Sequence, residues 1–365
     1  MSDKLLETLS INLKRLRTAR GFTQERVASD AGLSLRTFGA IEQGKTQPRV
    51  STLQAIAHAL GAPLADLLAP VRTLEGVRFR SSKNVRSRDQ IVCDIEKWLS
   101  NYNDLEEMVS EKQPYLFSEM EEGLSPVEAA HCVRAKMGLT PAEPIRDLCG
   151  LLSSAGIKIK KISSSAEGFW GLSVSPQKEG PAIVVNAHAR IPVERVIFSA
   201  AHELGHLILH SNSYDGEFSL EDEQAEKEAN CFAAEFLMPD EVFQKEWHES
   251  RGLSFLERVL KVKRIFHVSH KTVLARLDQG HHSKGVVYRF FHQAYKKRYG
   301  KSISNKEEFY GKEPFELTTF DFQEERLARL VRKAIESEMI SVGRGAEILG
   351  IDIGEMRELV NEWAE

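Results

Sequence analysis

Ala201-His202-Glu203-Leu204-Gly205-His206-Leu207-Ile208-Leu209-His210 decides the reading of this chain. His202 and His206 are four residues apart, so on an α-helix both imidazoles leave the same face, one turn apart. At that spacing two side chains can share one zinc ion. Glu203 stands beside such an ion rather than on it, within reach of a proton on a water held there. A helix that merely buried two core histidines has no use for this carboxylate. Glu203 lies amid Ile197, Phe198, Leu204, Leu207, Ile208 and Leu209, and a lone buried carboxylate is expensive. The stretch therefore reads as a metal-binding helix that begins near Pro192. His210 follows on the same face, about 12 Å along the backbone from His202, too far to converge as a third ligand. It is expected to be an outer or surface histidine.

An open zinc site takes three protein ligands and a water, the third ligand from a separate element. The best supply is Glu221-Asp222-Glu223-Gln224-Ala225-Glu226-Lys227-Glu228-Ala229-Asn230-Cys231-Phe232-Ala233-Ala234-Glu235-Phe236-Leu237-Met238-Pro239. Ala225, Ala229, Phe232, Ala233 and Phe236 recur at helical spacing and form a buried face. Glu226 lies beside that face. Glu228, rotated about 200° from Glu226, is expected to meet solvent. Ahead of the metal helix, Ile145, Leu148, Leu151 and Leu152 make a helix, and Ile157–Ile162, Gly168–Val174 and Pro181–Asn186 read as three strands. The picture is a small sheet backed by a helix that carries the site. Zinc hydrolases also need an electrophile for the oxyanion; Tyr214, His248, His267 and His270 are candidates, and none stands out.

A chain of 365 residues predicts two or three domains. No apolar run approaches the ~20 residues that span a bilayer, so no membrane partner is expected. The N-terminus enters an amphipathic helix without the apolar core of a signal peptide. Cys93, Cys132, Cys149 and Cys231 are widely spaced and form no C-x-x-C pair, which fits a reducing cytoplasm. The net charge of -4 hides an asymmetry: residues 1–92 carry 15 Lys+Arg against 8 Asp+Glu, net +7, and the remainder 34 against 45, net -11. A basic front end on an acidic body predicts that the front meets a polyanion.

In that front end, Leu5, Leu6, Leu9, Leu13 and Leu16 fall at helical spacing until Gly21. Thr23 and Ser34 are placed to cap the next two helices, which are joined by a turn at Gly32. Further helices follow from Val50 to Leu60 and from Pro63. Two short helices about such a turn make a helix-turn-helix, whose second helix enters the major groove. The run from Phe22 to Pro48, with Ile41-Glu42-Gln43-Gly44-Lys45 and Pro48, resembles the Cro/C1-type (XRE) regulators across nearly all of residues 10–68. The resemblance implies that Gln24 docks to a phosphate and that Leu35, Arg36 and Thr37 face base edges. Arg36 suits guanine, Leu35 offers only an apolar contact, and Lys45 suits a phosphate. A homodimer on palindromic double-stranded DNA is expected.

Arg72, Arg78, Arg80, Lys83, Arg86 and Arg88 cluster after this domain and read as a solvated linker rather than further phosphate contacts. Residues 90–109 follow as a long helix with Ile91, Ile95, Trp98, Leu99, Tyr102 and Leu105 on one stripe, and Pro126–Met137 as another. Beyond the metal region, Val286–Tyr299, Phe322–Glu338, Ile340–Gly350 and Met356–Trp363 read as helices. The last two look like a second helix-turn-helix, but their acidity suits protein contacts better than DNA.

The motifs His202–His210 and Glu226–Pro239 together resemble the ImmA/IrrE metallopeptidases over residues 141–245. Phe236-Leu237 stands where that family usually reads Leu-Leu, a change of packing. The resemblance implies that His202, His206 and Glu226 hold Zn2+, that Glu203 is the general base, and that Asn230 orients a ligand histidine, as in gluzincins. It also implies that a protein, typically a partner repressor of a mobile element or stress regulon, is the substrate. The expected fold is multidomain, mainly α with a small β-sheet. It comprises an all-α helix-turn-helix domain (1–70), a helical connector (71–140), an α+β zincin-like domain (141–280) and a helical C-terminal segment (281–365). Two functions fit: a DNA-binding regulator with an active zinc endopeptidase, or a transcription factor whose peptidase-like domain senses a metal or ligand, or dimerises, without hydrolysis.

Overall fold

Two hydroxyl groups set the front end. Thr23 Oγ1 accepts from the backbone N–H of Arg26 at 3.1 Å, and Ser34 Oγ from that of Thr37 at 3.1 Å. Each supplies an acceptor that a helix N-terminus otherwise lacks. In the computed structural model these caps open α2 (Gln24–Asp30) and α3 (Leu35–Glu42), preceded by α1 (Asp3–Ala19) and followed by α4 (Val50–Leu60) and α5 (Leu64–Leu68). The structure describes residues 3–68, 76–81, 88–164, 169–177, 179–214, 222–278, 285–303 and 313–364. Arg72, Lys83 and Arg86 of the basic cluster, and Gly168 and Glu221, lie outside them.

The chain divides into two compact units, Met1–Leu74 with Val85–Asn101, and Glu75–Asn84 with Tyr102–Glu365. In the first, Leu9, Leu13, Val27, Phe38, Ile41, Ile56, Leu60 and Leu67 form the core, so the leucine stripe of α1 is buried at its centre. Glu42 is buried beside that core, where Arg17 donates to its two oxygens at 2.6 and 3.2 Å. A buried carboxylate survives only when paired in this way.

The second unit holds a four-stranded sheet of β1 (Val77–Ser81), β2 (Lys158–Ile162), β3 (Phe169–Val174) and β4 (Ala182–Asn186), in the order β1-β3-β4-β2. β2 and β4 are parallel; β3 runs antiparallel to both of its neighbours. β1 corrects the reading of its segment as a solvated linker. Val77–Ser81 alternates apolar and basic residues, and the strand pairs with β3 at Val77↔Val174, Arg78↔Ser173 and Phe79↔Leu172. The stretch 71–140 is thus shared between the two units, whose boundary falls inside α6 (Arg88–Met108). The expected stripe of α6, from Ile91 to Leu105, is buried.

Next come α7 (Pro126–Lys136), opened by a Ser125–Glu128 capping box, and α8 (Leu148–Ser154). α9 (Val193–Leu209) packs against β3 and β4 on one side and α10 (Glu223–Leu237) on the other. It is buried without a break from Ser199 to Leu207, as befits a helix packed on both sides. The chain continues through α11 (Asp240–Glu249), α12 (Phe255–Phe266), α13 (His270–Asp278), α14 (Val286–Tyr299), α15 (Arg326–Glu336), α16 (Val342–Leu349) and α17 (Ile353–Ala364).

Two buried ion clusters lock the C-terminal segment to this unit. Lys263 Nζ donates to Glu194 Oε1 at 2.9 Å, in the first turn of α9, and to the carbonyls of Pro314 and Phe315 at 2.7 and 3.1 Å. Arg326 pairs with Glu106, which also holds Lys158 at 3.1 Å. Among the described residues, no helix is long and apolar enough to cross a membrane.

α9 and α10 meet at Gly205, where a Cβ would lie 3.0 Å from Phe232 Cδ1 and 3.3 Å from the Ala229 backbone. Gly205→Val is expected to lower unfolding stability by about 2 kcal/mol through overpacking, read as a drop in urea midpoint at unchanged m. An unchanged midpoint would show that the two helices are not in close contact there.

Candidate metal centre

The close approach at Gly205 brings α10 within reach of the histidine face of α9. His202 Nε2 and His206 Nε2 lie 2.9 Å apart, and Glu226 reaches them at 3.2 Å (Oε2) and 3.0 Å (Oε1). Among the described residues, these are the side chains whose ligand atoms gather closely enough to hold one ion. The distances approach the ~3.3 Å edge of a tetrahedron with zinc–ligand bonds of about 2.0–2.1 Å.

The donor chemistry agrees. His202 Nδ1 is 2.9 Å from Asn230 Oδ1. A carbonyl oxygen only accepts, so Nδ1 carries the proton and the bare Nε2 faces the shared point. Burial holds His206 neutral, pushing its pKa down to about 3. Burial opposes ionisation of Glu226, but in the metal-free site the neighbouring imidazoles of His202 and His206 outweigh that and hold its carboxyl well below the usual range. Two lone pairs and an anion aimed at one point repel each other unless a cation joins them. The residues fit zinc.

Glu203, like His202 and His206, has 0% exposure. Its Oε2 accepts from Ser173 Oγ at 2.8 Å, and Ser173 Oγ accepts from Tyr214 Oη at 2.8 Å. Gly171 permits this fit, since a Cβ there would lie 3.2 Å from Glu203 Oε1 and 2.9 Å from the Val184 carbonyl. Tyr214, an electrophile candidate, is thus committed to Ser173, and burial pushes its pKa up. His270 Nδ1 is engaged with Glu313 at 2.8 Å; His248 is exposed on α11, and His267 is the left-handed C-cap of α12.

Sequence reasoning missed three participants. Arg78, read as part of a linker, projects from β1 to within 3.5 Å of Glu226 Oε1. Its strand alternation was the available signal. Ser173 carried no signal. Glu228, expected in solvent, is 35% exposed and accepts from Gln224 and from His210, whose other nitrogen meets His206.

In the first unit, Leu35 (46% exposed), Arg36 and Thr37 lie exposed at the start of α3, and Lys45 is exposed beyond its end. Gln24 is partly buried, its amide nitrogen donating to Glu42.

Comparison with known proteins matches the two regions separately. Residues 8–69 match a helix-turn-helix domain family, and residues 152–278 an IrrE N-terminal-like domain family of peptidase type. YonR, an SPbeta prophage-derived HTH-type transcriptional regulator of Bacillus subtilis (strain 168), is 32% identical over 101 residues, 28% of this chain and 81% of that protein. RstR, the cryptic phage CTXphi transcriptional repressor of Vibrio cholerae, is 33% identical over 82 residues, 22% of this chain and 74% of that protein. SutR, an HTH-type transcriptional regulator of Escherichia coli (strain K12), is 37% identical over 68 residues, 19% of this chain; the match spans only 38% of SutR. The solved structure of apo ComR from S. thermophilus aligns over 99% of both chains at 12% identity, with a TM-score of 0.18, too low to carry an argument. The fold and site define a helix-turn-helix protein with a second, metallopeptidase-like domain. The chain belongs to the helix-turn-helix transcriptional regulators and carries an IrrE N-terminal-like domain behind its helix-turn-helix.

The neutral His206 gives a pH signature. From its ordinary 6.5 down to about 3, the unfolded chain binds a proton that the native site refuses, so native stability rises with pH. Glu226, depressed from 4.5, acts in the same direction at lower pH. Metal-free protein is expected to be most stable above about pH 6.5 and to lose stability progressively as the pH falls toward 3. Urea midpoints at several pH values test this, and the slope should weaken in His206→Ala.

Proposed function

We propose that this chain is a cytoplasmic DNA-binding regulator whose IrrE-like domain is a zinc-dependent endopeptidase acting on a partner repressor. One observation carries the reading: His202, His206 and Glu226 gather three ligand atoms at one point, with Glu203 held beside them by Ser173 and Tyr214. A metal-storing site needs the first three; the tethered carboxylate is what hydrolysis adds.

When bound, zinc supplies a Lewis acid that polarises the scissile carbonyl and acidifies water. Glu203 takes the proton from the attacking water and returns it to the leaving amine. Ser173 fixes the Glu203 carboxylate in one orientation by donating to Oε2, and Tyr214 fixes the Ser173 hydroxyl in turn. Asn230 holds the ring of His202.

Prophage and phage regulators among the front-end relatives support the choice of a mobile-element or stress repressor as the protein substrate. That front end would read DNA through Arg36, beside Leu35 and Thr37, with Gln24 and Lys45 at phosphates, as a homodimer on a palindrome.

A second reading, a non-hydrolytic metal or ligand sensor, draws on one observation. β1 already occupies the free edge of β3, with Arg78 opposite Ser173 and reaching Glu226. An extended substrate that pairs by strand addition would have to displace it.

Incubating zinc-loaded protein with repressors encoded beside it separates the two. Cleavage by the native chain, reduced at least about 100-fold in Glu203→Gln at unchanged zinc content, supports the peptidase. If every partner stays intact while DNA affinity responds to metal, the sensor reading holds. For the DNA interface, Arg36→Ala is expected to lose about 1–3 kcal/mol on the preferred sequence and to relax specificity, while Lys45→Ala weakens all sequences alike. Fluorescence anisotropy on specific and scrambled duplexes measures both.

A further inference from the structure

His210 and Glu228 lie outside the metal trio, yet they are joined to it. His210 Nδ1 is 3.0 Å from His206 Nδ1, and His210 Nε2 is 3.0 Å from Glu228 Oε2. Glu228 is steadied by Gln224, whose amide donates to Oε1 at 2.7 Å.

With both imidazoles neutral and His206 Nε2 bare for a metal, one placement of protons satisfies every contact in this line. His206 Nε2 faces His202 Nε2 and the Glu226 carboxylate, and as a ligand it must be bare. The single proton of neutral His206 is then on Nδ1, which donates to His210 Nδ1. His210, accepting there, keeps its own proton on Nε2 and donates it to Glu228, which as a carboxylate only accepts. The reverse order would put a proton from His206 into the space the metal needs.

We infer that His210 and Glu228 are positioning residues that lock His206 in its zinc-binding tautomer and raise the basicity of its Nε2. The inference rests on the metal reading proposed above. It also makes the two ligand histidines unequal: the ring of His202 ends on the neutral amide of Asn230, the ring of His206 on a carboxylate through a second imidazole. Both anchors come from α10, which supplies Glu226 as ligand and, two and four residues on, Glu228 and Asn230.

The test is zinc affinity of the full chain, by competition with a chromophoric chelator, beside 15N-NMR of the imidazoles. Native protein should show His206 protonated at Nδ1 in the zinc form. His210→Ala should bind zinc roughly 10–100-fold more weakly, the range seen when an outer partner of a ligand histidine is removed. His210→Gln, which keeps an acceptor for the His206 proton, should recover part of the loss. Glu228→Gln, which keeps the acceptor and removes the charge, should fall between native and His210→Ala. Metal-free melting temperatures, measured alongside, separate a loss of folding from a loss of zinc affinity. Native zinc affinity in His210→Ala would overturn the relay while leaving the metal site standing; a His206 proton on Nε2 in the zinc form would overturn the relay together with His206 as a ligand through that atom. Failure of the native chain to bind zinc would overturn both.

Discussion

The gathering of His202, His206 and Glu226 at one point depends on how closely α9 approaches α10. A helix surface normally carries side chains that keep its neighbour 8–10 Å away. Here Gly205 on α9 faces Ala229 on α10, with Phe232 packed across the gap, so the two backbones can close up. Closure brings Glu226 to His202 and His206, and the same rigid helix then carries Asn230 and Glu228 to their partners. A ligand from a loop would need ordering each time; a ligand from a packed helix is held by the core itself. Phe232 and Phe236, stacked 5.6 Å apart on α10, belong to that core.

The charges buried elsewhere in the second unit serve the same rigidity. Glu194 sits in the first turn of the metal helix, where a carboxylate complements the helix dipole, and Lys263 neutralises it from α12. The carbonyls of Pro314 and Phe315 complete the shell of that lysine, so the C-terminal segment is pinned to the start of α9. Such clusters add little net stability. They fix which surfaces meet, because any other docking strands a charge without its partner.

Much of this was legible in the sequence because it is local. Thr23 and Ser34 announce helix starts through contacts three residues away, and the spacing of His202 and His206 announces two imidazoles brought together across one helical turn. The Ala225–Phe236 stripe identified the second helix by periodicity alone. What stayed hidden was non-local. Ser173 is an ordinary strand serine until folding sets it against Glu203. Glu228 was judged by its angle from Glu226 on an isolated helix, which is right for a wheel and says nothing of His210 arriving from another element. Val77–Ser81 alternates as a strand does, but the surrounding arginines mask that period with charge. Its partner, β3, lies far along the chain, beyond the reach of any window.

Strand β1 has a practical consequence for where this domain begins. The family match to the metal domain starts at residue 152, yet the sheet it describes is completed by residues that precede it. A fragment cut at that boundary would leave β3 with its outer N–H and C=O groups unpaired, next to the buried row of Leu172 and Val174. Such an edge is a template for pairing with another molecule, and natural sheets protect theirs. In this chain the protection comes from the arginine-bearing stretch between the two matched regions. The boundary of family similarity is therefore not the boundary of folding, and the sheet of the IrrE-like domain is covered partly by a strand outside it.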